Sequence, residues 1–271
     1  MNVSGGFHLP APFTSPYVVT KPLCLLAFLS AVVVLSAPQV RAASSDILPV
    51  ETFEAYAPFT FPALWKVRGN QHEAQTIYRV MEEGGNRFLH AYANQQAIQI
   101  GLVQGFAPQE FPRLRWRWRV SQLPPGGDER RKETHDSAAG VYVIFDNPIL
   151  PRIIKYVWSS TVPVGTRVQN PLYWRAQMVV VESGPAGLGE WKSEIVNFYQ
   201  DYQTLFGAEP GKVLGIGLMT SSSYTKSVAV ADYDDFLLLT RDSLPLTPFP
   251  PPSAGLGSVL GSVANFLDHT T

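Results

Sequence analysis

Cysteine is almost absent from this chain, since Cys24 is the only one in 271 residues. It lies in a segment that we expect to be removed on export, which would leave the mature chain with none. A chain without cysteine forms no disulfide, no thiolate metal site and no cysteine nucleophile. This absence suits an oxidising compartment, where a lone thiol is a liability.

Charge is scarce as well. Charged residues make up 16% of the chain, and 21 Lys+Arg against 22 Asp+Glu leave a net charge of −1. A chain so close to neutrality has no long-range field that would attract nucleic acid or an anionic membrane. We therefore expect no nucleic-acid partner, and any electrostatic recognition must be local. Hydrophobic residues, at 45%, are numerous enough for a sizeable core.

The N-terminus has the pattern of a secretory signal. Lys21 supplies a positive charge, residues 23–37 are apolar except for two serines, and Val40-Arg41-Ala42 offers small residues where a signal peptidase cuts. An apolar run of about 15 residues is shorter than the roughly 20 that span a bilayer. We predict a signal peptide at residues 1–42, a periplasmic or secreted bacterial protein, and no membrane span after cleavage.

The region from residue 59 to about 240 alternates between short apolar-patterned segments and turns. A turn at Glu83-Gly84-Gly85-Asn86 predicts a hairpin. Strands are predicted at 76–81, 87–92, 97–103, 113–120, 138–145, 153–159, 175–182, 190–196, 212–219 and 228–239. Residues 197–206 instead have apolar side chains every three to four positions, followed by Gly207, and predict one short helix. This pattern indicates an all-β sandwich or barrel.

The composition changes after residue 242. Five prolines between residues 245 and 252 predict a stiff, extended linker. Residues 253–271 are small and apolar and predict a flexible tail. We therefore divide the chain into a signal peptide (1–42), a β-sandwich domain (43–242) and a proline-rich linker with a flexible tail (243–271).

One predicted strand, 113–120, has arginine at every second position. Its other face carries Leu114, Trp116, Trp118 and Val120, which we expect in the core. Four like charges on one face repel each other by a few tenths of a kcal/mol per pair. They need acids on neighbouring strands, such as Glu182 or Glu194, or else an anionic ligand. Arginine binds carboxylate and phosphate groups bidentately, so the functional alternative is a face that recognises an acidic glycan.

Several segments together resemble the family called domain of unknown function 3047. They are Leu114-Arg115-Trp116-Arg117-Trp118, Leu123-Pro124, Gly127-Asp128-Glu129-Arg130, Val141-Tyr142-Val143-Ile144-Phe145, Tyr156-Val157-Trp158-Ser159, Asp201-Tyr202, Phe206-Gly207 and Tyr233-Asp234-Asp235-Phe236. The resemblance covers residues 59–239. It implies an exported, all-β, jelly-roll-like antiparallel β-sandwich, here with one short helix, and no assigned activity.

The chain departs from this family's pattern in two places. The loop before the central strand tends to carry paired acids and then an arginine, whereas residues 136–140 read Asp-Ser-Ala-Ala-Gly here. The acidic run that tends to precede the last strand is replaced by Ser-Ser-Ser-Tyr-Thr at 221–225. If those acids bind a cation or polar ligand in relatives, this chain binds it differently or not at all.

No complete catalytic motif is visible. The chain has no G-x-S-x-G elbow and no H-E-x-x-H pair, and its histidines lack metal-ligand spacing. His135, beside Asp136, is a better candidate for a base than His90, which we expect to be a packed or surface residue. Two sets of acidic residues are candidates for a functional site. Glu182, Glu194 and Asp201 are candidates for a glycosidase pair, and Asp232, Asp234 and Asp235 for a calcium site or, more simply, a solvated strand face.

Aromatic residues are frequent enough, at 12%, that some are expected on the surface as platforms for sugar rings. We therefore predict a non-catalytic module that binds a carbohydrate or a cell-envelope polymer, without a metal or cofactor. The predicted ligand-binding residues are Arg115, Arg117, Asp128, Arg130, Asp136, Tyr142 and Trp158. The alternatives are a polysaccharide-active hydrolase or lyase, and a structural envelope protein that binds a protein partner.

Overall fold

The computed structural model describes residues 46–243. The predicted signal peptide and the predicted linker and tail beyond residue 243 lie outside the described residues, so these interpretations stay predictions. The described strands are β1 (Ile47–Glu51), β2 (Lys66–Arg68), β3 (Tyr78–Glu83), β4 (Asn86–Asn94), β5 (Gln99–Phe106), β6 (Arg113–Gln122), β7 (Ala139–Phe145), β8 (Arg152–Ser159), β9 (Arg167–Gln169), β10 (Ala176–Ser183), β11 (Lys192–Val196), β12 (Val213–Met219) and β13 (Val228–Leu239). The α-helices are α1 (Gln71–Ile77) and α2 (Phe198–Phe206).

The strands form two sheets, which confirms the predicted sandwich. The first sheet has the order β11-β6-β13-β4-β3, with β1 paired to the last part of β13. The second has the order β2-β5-β12-β7-β8-β10-β9. The described pairings are antiparallel apart from that of β8 with β10, whose connection contains the edge strand β9.

Aromatic side chains join the two sheets. The rings of Trp116 and Tyr156 have centroids 5.9 Å apart, and those of Trp118 and Trp158 are 6.0 Å apart. All four are fully buried. Alternation along β6 and β8 directs these side chains to the inner faces, where truncating one such aromatic typically costs ~3–5 kcal/mol of stability.

The predicted helix is present, and the structure adds a second one. In α2, Asn197 accepts a hydrogen bond from the Gln200 N–H at 3.0 Å, and Gly207 ends the helix with φ +61°. α1 occupies a segment where no helix was predicted and where a strand was predicted to begin at residue 76. Its seven residues are too few for a clear helical period. None of the helices in residues 46–243 is long and apolar enough to cross a bilayer.

α1 closes one open side of the sandwich. It runs from β2, at the edge of the second sheet, to β3, at the edge of the first. Asn70 begins it by accepting hydrogen bonds from the next turn, and Ala74 and Ile77 are buried in the core. Gln71 and Gln75 therefore remain on its exposed face.

Candidate functional site

The arginine face of β6 is largely buried, and two of its arginines form ion pairs with aspartates. Arg117 is 4% exposed, and its guanidinium lies 2.6 Å from Asp234 and 2.8 Å from Asp235. Arg119 pairs with Asp232 at 2.7 Å, and Arg115 is 5% exposed. The expected cross-strand pairing is confirmed, although the partners are aspartates of β13 and not Glu182 or Glu194. Burial of Arg115 and Arg117 argues against direct contact between either side chain and a polymer.

The acidic end strand is also not a solvated face, which corrects that interpretation. Asp232, Asp234 and Asp235 are 3%, 0% and 4% exposed, because the arginines of β6 cover them. Their carboxylates are engaged in ion pairs, which leaves little for calcium. No group of three or more His, Cys, Asp or Glu side chains within residues 46–243 is placed to hold a metal ion.

Asp128 and Arg130 form a local pair in the loop before β7. Arg130 donates to both carboxylate oxygens of Asp128, at 2.8 and 2.7 Å, and these hydrogen bonds lower the pKa of Asp128. The Arg130 side chain is 48% exposed. Of the predicted binding residues, Arg130 is thus the one whose charged group faces solvent.

The two segments that depart from the family pattern lie against each other. Asp136 is fully buried and accepts hydrogen bonds from the Thr225 N–H and hydroxyl, at 2.7 and 2.9 Å. Ser137 and Ser221 exchange two further hydrogen bonds of 3.1 Å each. A carboxylate bound by neutral groups replaces the paired acids expected in this loop, so both departures belong to one buried contact.

Lys155 lies at the centre of this buried polar cluster. It is 0% exposed and donates to the Ser137 hydroxyl at 2.8 Å. Burial lowers the pKa of Lys155 to about 8, although nearby Glu129 and Asp136 favour its charge. Lys155 was not among the predicted site residues, because residues 153–159 were interpreted only as a strand. Its complete burial indicates a structural role.

The remaining predicted residues are not open platforms. Tyr142 is 7% exposed, on the outer face of the second sheet, with its hydroxyl 3.8 Å from the Met219 sulfur. Trp158 is fully buried and donates to the Gly184 carbonyl at 3.1 Å. His135 is buried too, which lowers its pKa to about 4, so that it is neutral near pH 7 and shielded from substrate.

A different site is present beside α1. A cavity of about 510 Å³ is lined by Phe61, Ala63, Trp65, Lys66, Val67, Gln71 and Gln75. A second, of about 320 Å³, is lined by Phe59, Phe61, Gln75, Tyr78 and Arg79. Because they share Phe61 and Gln75, the two adjoin each other. We call this pair of cavities the α1 groove.

The wall of the α1 groove is held by contacts on its far side. The Trp65 indole donates to Glu51 at 3.0 Å, and its ring stacks on Phe53 with centroids 5.9 Å apart. The strip before Trp65 pairs with β3, since the Phe59 N–H donates to the Val80 carbonyl at 2.7 Å. These bonds fix the backbone on both sides of Phe61, so this side of the groove is preorganised.

The lining combines ring faces with amides. Phe59 is 74% exposed and Phe61 is half-buried, so both present apolar surface. Gln71 and Gln75 are four residues apart and therefore lie on one face of α1. Each amide offers donors and acceptors, which is the pairing that sugar hydroxyls require. In the described part of the chain, neither amide is held by a side-chain hydrogen bond.

The α1 groove was not predicted from the sequence. Its aromatic residues, at 59, 61 and 65, precede the first predicted strand, and its amides lie on the helix that was not predicted. The available signal was Asn70, a helix-capping residue, followed by apolar positions at 74 and 77. A helix placed there would have put both glutamines on its outer face.

Two of the candidate acids meet on the opposite side of the sandwich. Glu194 of β11 accepts from the Trp118 indole at 3.2 Å, and Glu182 of β10 pairs with Lys192 at 2.8 Å. Burial, followed by the charge of Glu182, raises the pKa of Glu194 to about 7. Asp201 is occupied elsewhere, because it accepts from the Tyr156 hydroxyl at 2.9 Å.

Comparison with protein families supports the resemblance seen in the sequence. The model of a family described as "Protein of unknown function (DUF3047)" matches residues 63–237. Comparison with curated proteins finds no match.

Several solved structures share a similar arrangement of strands. One is the glycoside hydrolase domain of Endo-D from Streptococcus pneumoniae, with 9% identity and a TM-score of 0.33, over 68% of this chain and 22% of that chain. Another is the family 30 carbohydrate-binding module of a Clostridium thermocellum cellulosomal cellulase, with 10% identity and a TM-score of 0.35. The match covers 65% of this chain and 87% of that module. A third is a cellulase derived from Cel12A of Rhodothermus marinus, with 14% identity and a TM-score of 0.34. The match covers 64% of this chain and 95% of that cellulase. This chain spans about a fifth of the first of these, and TM-scores this low support no conclusion about function.

Proposed function

The chain belongs to the DUF3047 family of proteins of unknown function, and from the geometry of its α1 groove we propose that it binds a carbohydrate or cell-envelope polymer without catalysis. The observation that carries this proposal is the shared boundary of the two cavities, since Phe61 and Gln75 line both of them. Each cavity falls within the roughly 300–1,000 Å³ of ligand pockets. The pairing of ring and amide suits a sugar, whose apolar face stacks while its hydroxyls form hydrogen bonds.

The lining also explains why binding is proposed without catalysis. Neither cavity, as far as the described residues define it, is lined by a carboxylate or a histidine. Hydrolysis of a glycosidic bond requires a pair of acids across the bond. A polymer in this groove would meet ring faces, amides and the side chains of Lys66 and Arg79, which position a ligand but do not form a pair of acids.

The test is a glycan array probed with the processed protein, compared with Phe61→Ala and Gln75→Ala variants. We expect a bound glycan whose affinity falls about tenfold in either variant, since a net loss near 1.4 kcal/mol is tenfold in Kd. The matched control is Gln200→Ala, which removes another exposed amide, on α2, and should change nothing. Absence of any bound glycan, or equal affinity in all variants, would overturn the proposal.

We further propose that the protein works outside the cytoplasm. Two features of the sequence support this: the leader-like residues 1–42, and a mature chain that would have no cysteine. A polymer-binding module in the envelope would meet its ligand there.

Hydrolysis is the second candidate function, and the Glu194–Glu182 pair favours it. A carboxyl with a pKa near 7, beside a second carboxylate that pairs with Lys192, resembles the two unequal environments found in acid–base pairs. If this site cleaves glycans, array ligands should be hydrolysed by the wild type and not by Glu194→Gln or Glu182→Gln. Products that appear equally with both variants would exclude this pair.

A further inference from the structure

The α1 groove carries a cation at each end. Lys66 lines the larger cavity and Arg79 the smaller one, while Phe61 and Gln75 line both. Lys66 is on β2 and Arg79 on β3, so the two cations come from the edge strands of different sheets. A chain lying along the groove would therefore pass one cation, then the ring and amide, then the other cation.

These two cations differ from the buried arginines of the first sheet. Arg117 and Arg119 are neutralised by the aspartates of β13. Lys66 and Arg79 are exposed, and neither takes part in an ion pair within residues 46–243. Their charges are therefore available to an external anion.

The surroundings keep the lysine end of the groove open. Lys66 lies opposite Gly101 of β5, which has no side chain. A Cβ at Gly101 would have only the Ile216 carbonyl oxygen, at 3.5 Å, as a near neighbour. Because no carboxylate among the described residues lines either cavity, the charge of Lys66 is not offset inside the groove and favours an anionic ligand.

We propose that the polymer bound in the α1 groove is an acidic glycan, with carboxylates that pair with Lys66 and Arg79. This inference rests on the proposed function and names the substrate class of the same site. Arg79 can bind a carboxylate bidentately, and Lys66 acts as a point charge. Because both groups are exposed, the affinity falls as ionic strength rises.

The experiment compares oligosaccharides that differ only in charge. Hexamers of galacturonate and of mannuronate are titrated into the processed protein as free acids and as methyl esters, with cellohexaose and chitohexaose as neutral probes. We expect at least one acid to bind about tenfold more tightly than its ester, the loss expected for one charge-assisted hydrogen bond. The Lys66→Gln/Arg79→Gln double variant should bind acid and ester alike, while Arg131→Gln, at an exposed arginine outside the groove, should retain the preference.

Each other outcome counts against a defined claim. Equal binding of acid and ester, or binding of the neutral probes alone, overturns the acidic-glycan proposal and leaves glycan binding standing. If the wild type binds none of the probes, both the acidic-glycan proposal and the proposed glycan binding are overturned. A preference for acids that persists in the double variant assigns the selectivity to other residues and overturns the role given to Lys66 and Arg79. Circular dichroism of the double variant confirms that the sandwich is folded.

Discussion

The absent side chain of Gly140 makes room for that of Lys155. A Cβ on Gly140 would lie 2.7 Å from the Lys155 Cε and 3.3 Å from the Met219 carbonyl oxygen. The two residues are on adjacent strands of the second sheet, and the lysine is fully buried with its ammonium on Ser137. A glycine in β7 is thus what admits a charged side chain to this face of the sheet.

Gly140→Ala should destabilise the domain because the buried lysine has little room to move away. We expect a loss of about 1–3 kcal/mol in the free energy of unfolding, which is typical of overpacking. Urea denaturation measures it. The matched control is Gly101→Ala in β5, where a Cβ makes only an ordinary contact. Similar losses in both variants would contradict the close fit between Gly140 and Lys155.

Arg117→Ala should damage stability and not ligand selectivity. It leaves Asp234 and Asp235 buried without their partner, and breaking such a pair typically costs ~3–5 kcal/mol. Arg131→Ala is the control, since its side chain is exposed and its pair with Asp128 is worth about 0–1 kcal/mol. Thermal denaturation compares the two. A stable Arg117→Ala variant with lost glycan binding would restore the arginine face as the binding surface.

Glu194 should make stability depend on pH. Its pKa is raised from 4.5 to about 7 in the folded state, so the folded state binds the proton more tightly than the unfolded chain does. The resulting stabilisation is complete below pH 4.5 and is lost as pH rises to 7, with a maximum of ~3 kcal/mol. In Glu194→Gln this dependence should disappear. Unfolding free energies of both proteins between pH 4 and 8 measure it, and a difference that does not vary with pH would contradict the assignment.

Sequence alternation predicted most of the sandwich because strand faces are encoded locally. Leu114, Trp116 and Trp118 alternate with arginines, and the structure places the tryptophans in the core and the arginines on the other face. The prediction for 228–239 matches β13 to the residue. The short strands β1, β2 and β9 were not predicted, because segments of three to five residues are too short to show a clear alternation of apolar and polar side chains.

The site was harder to predict because it depends on long-range pairing. Nothing local indicates that the arginines of β6 meet acids more than 100 positions away, as Arg117 meets Asp234. The same holds for Asp136 and Thr225, which are 89 residues apart. The α1 groove joins an irregular strip to a seven-residue helix, and neither element has a strong pattern alone.

Export predicts a defined mature N-terminus. If residues 1–42 are a signal peptide, expression of the full chain in a bacterium should yield a periplasmic or secreted protein that begins at Ala43. Edman sequencing or intact mass of the purified protein measures the cleavage site. A retained N-terminal segment in the membrane fraction would contradict cleavage and favour an anchor.

The central claim, that the α1 groove holds the glycan, is tested most directly by side-chain amide NMR. A ¹⁵N–¹H spectrum shows the amide protons of Gln71 and Gln75, which variants at each position assign. When the strongest array ligand is added, we predict that both amide pairs shift in proportion to the bound fraction, while the amide of Gln200 on α2 stays unchanged. Saturation of the protein with ligand without a shift at either glutamine would place the binding site elsewhere and contradict the account.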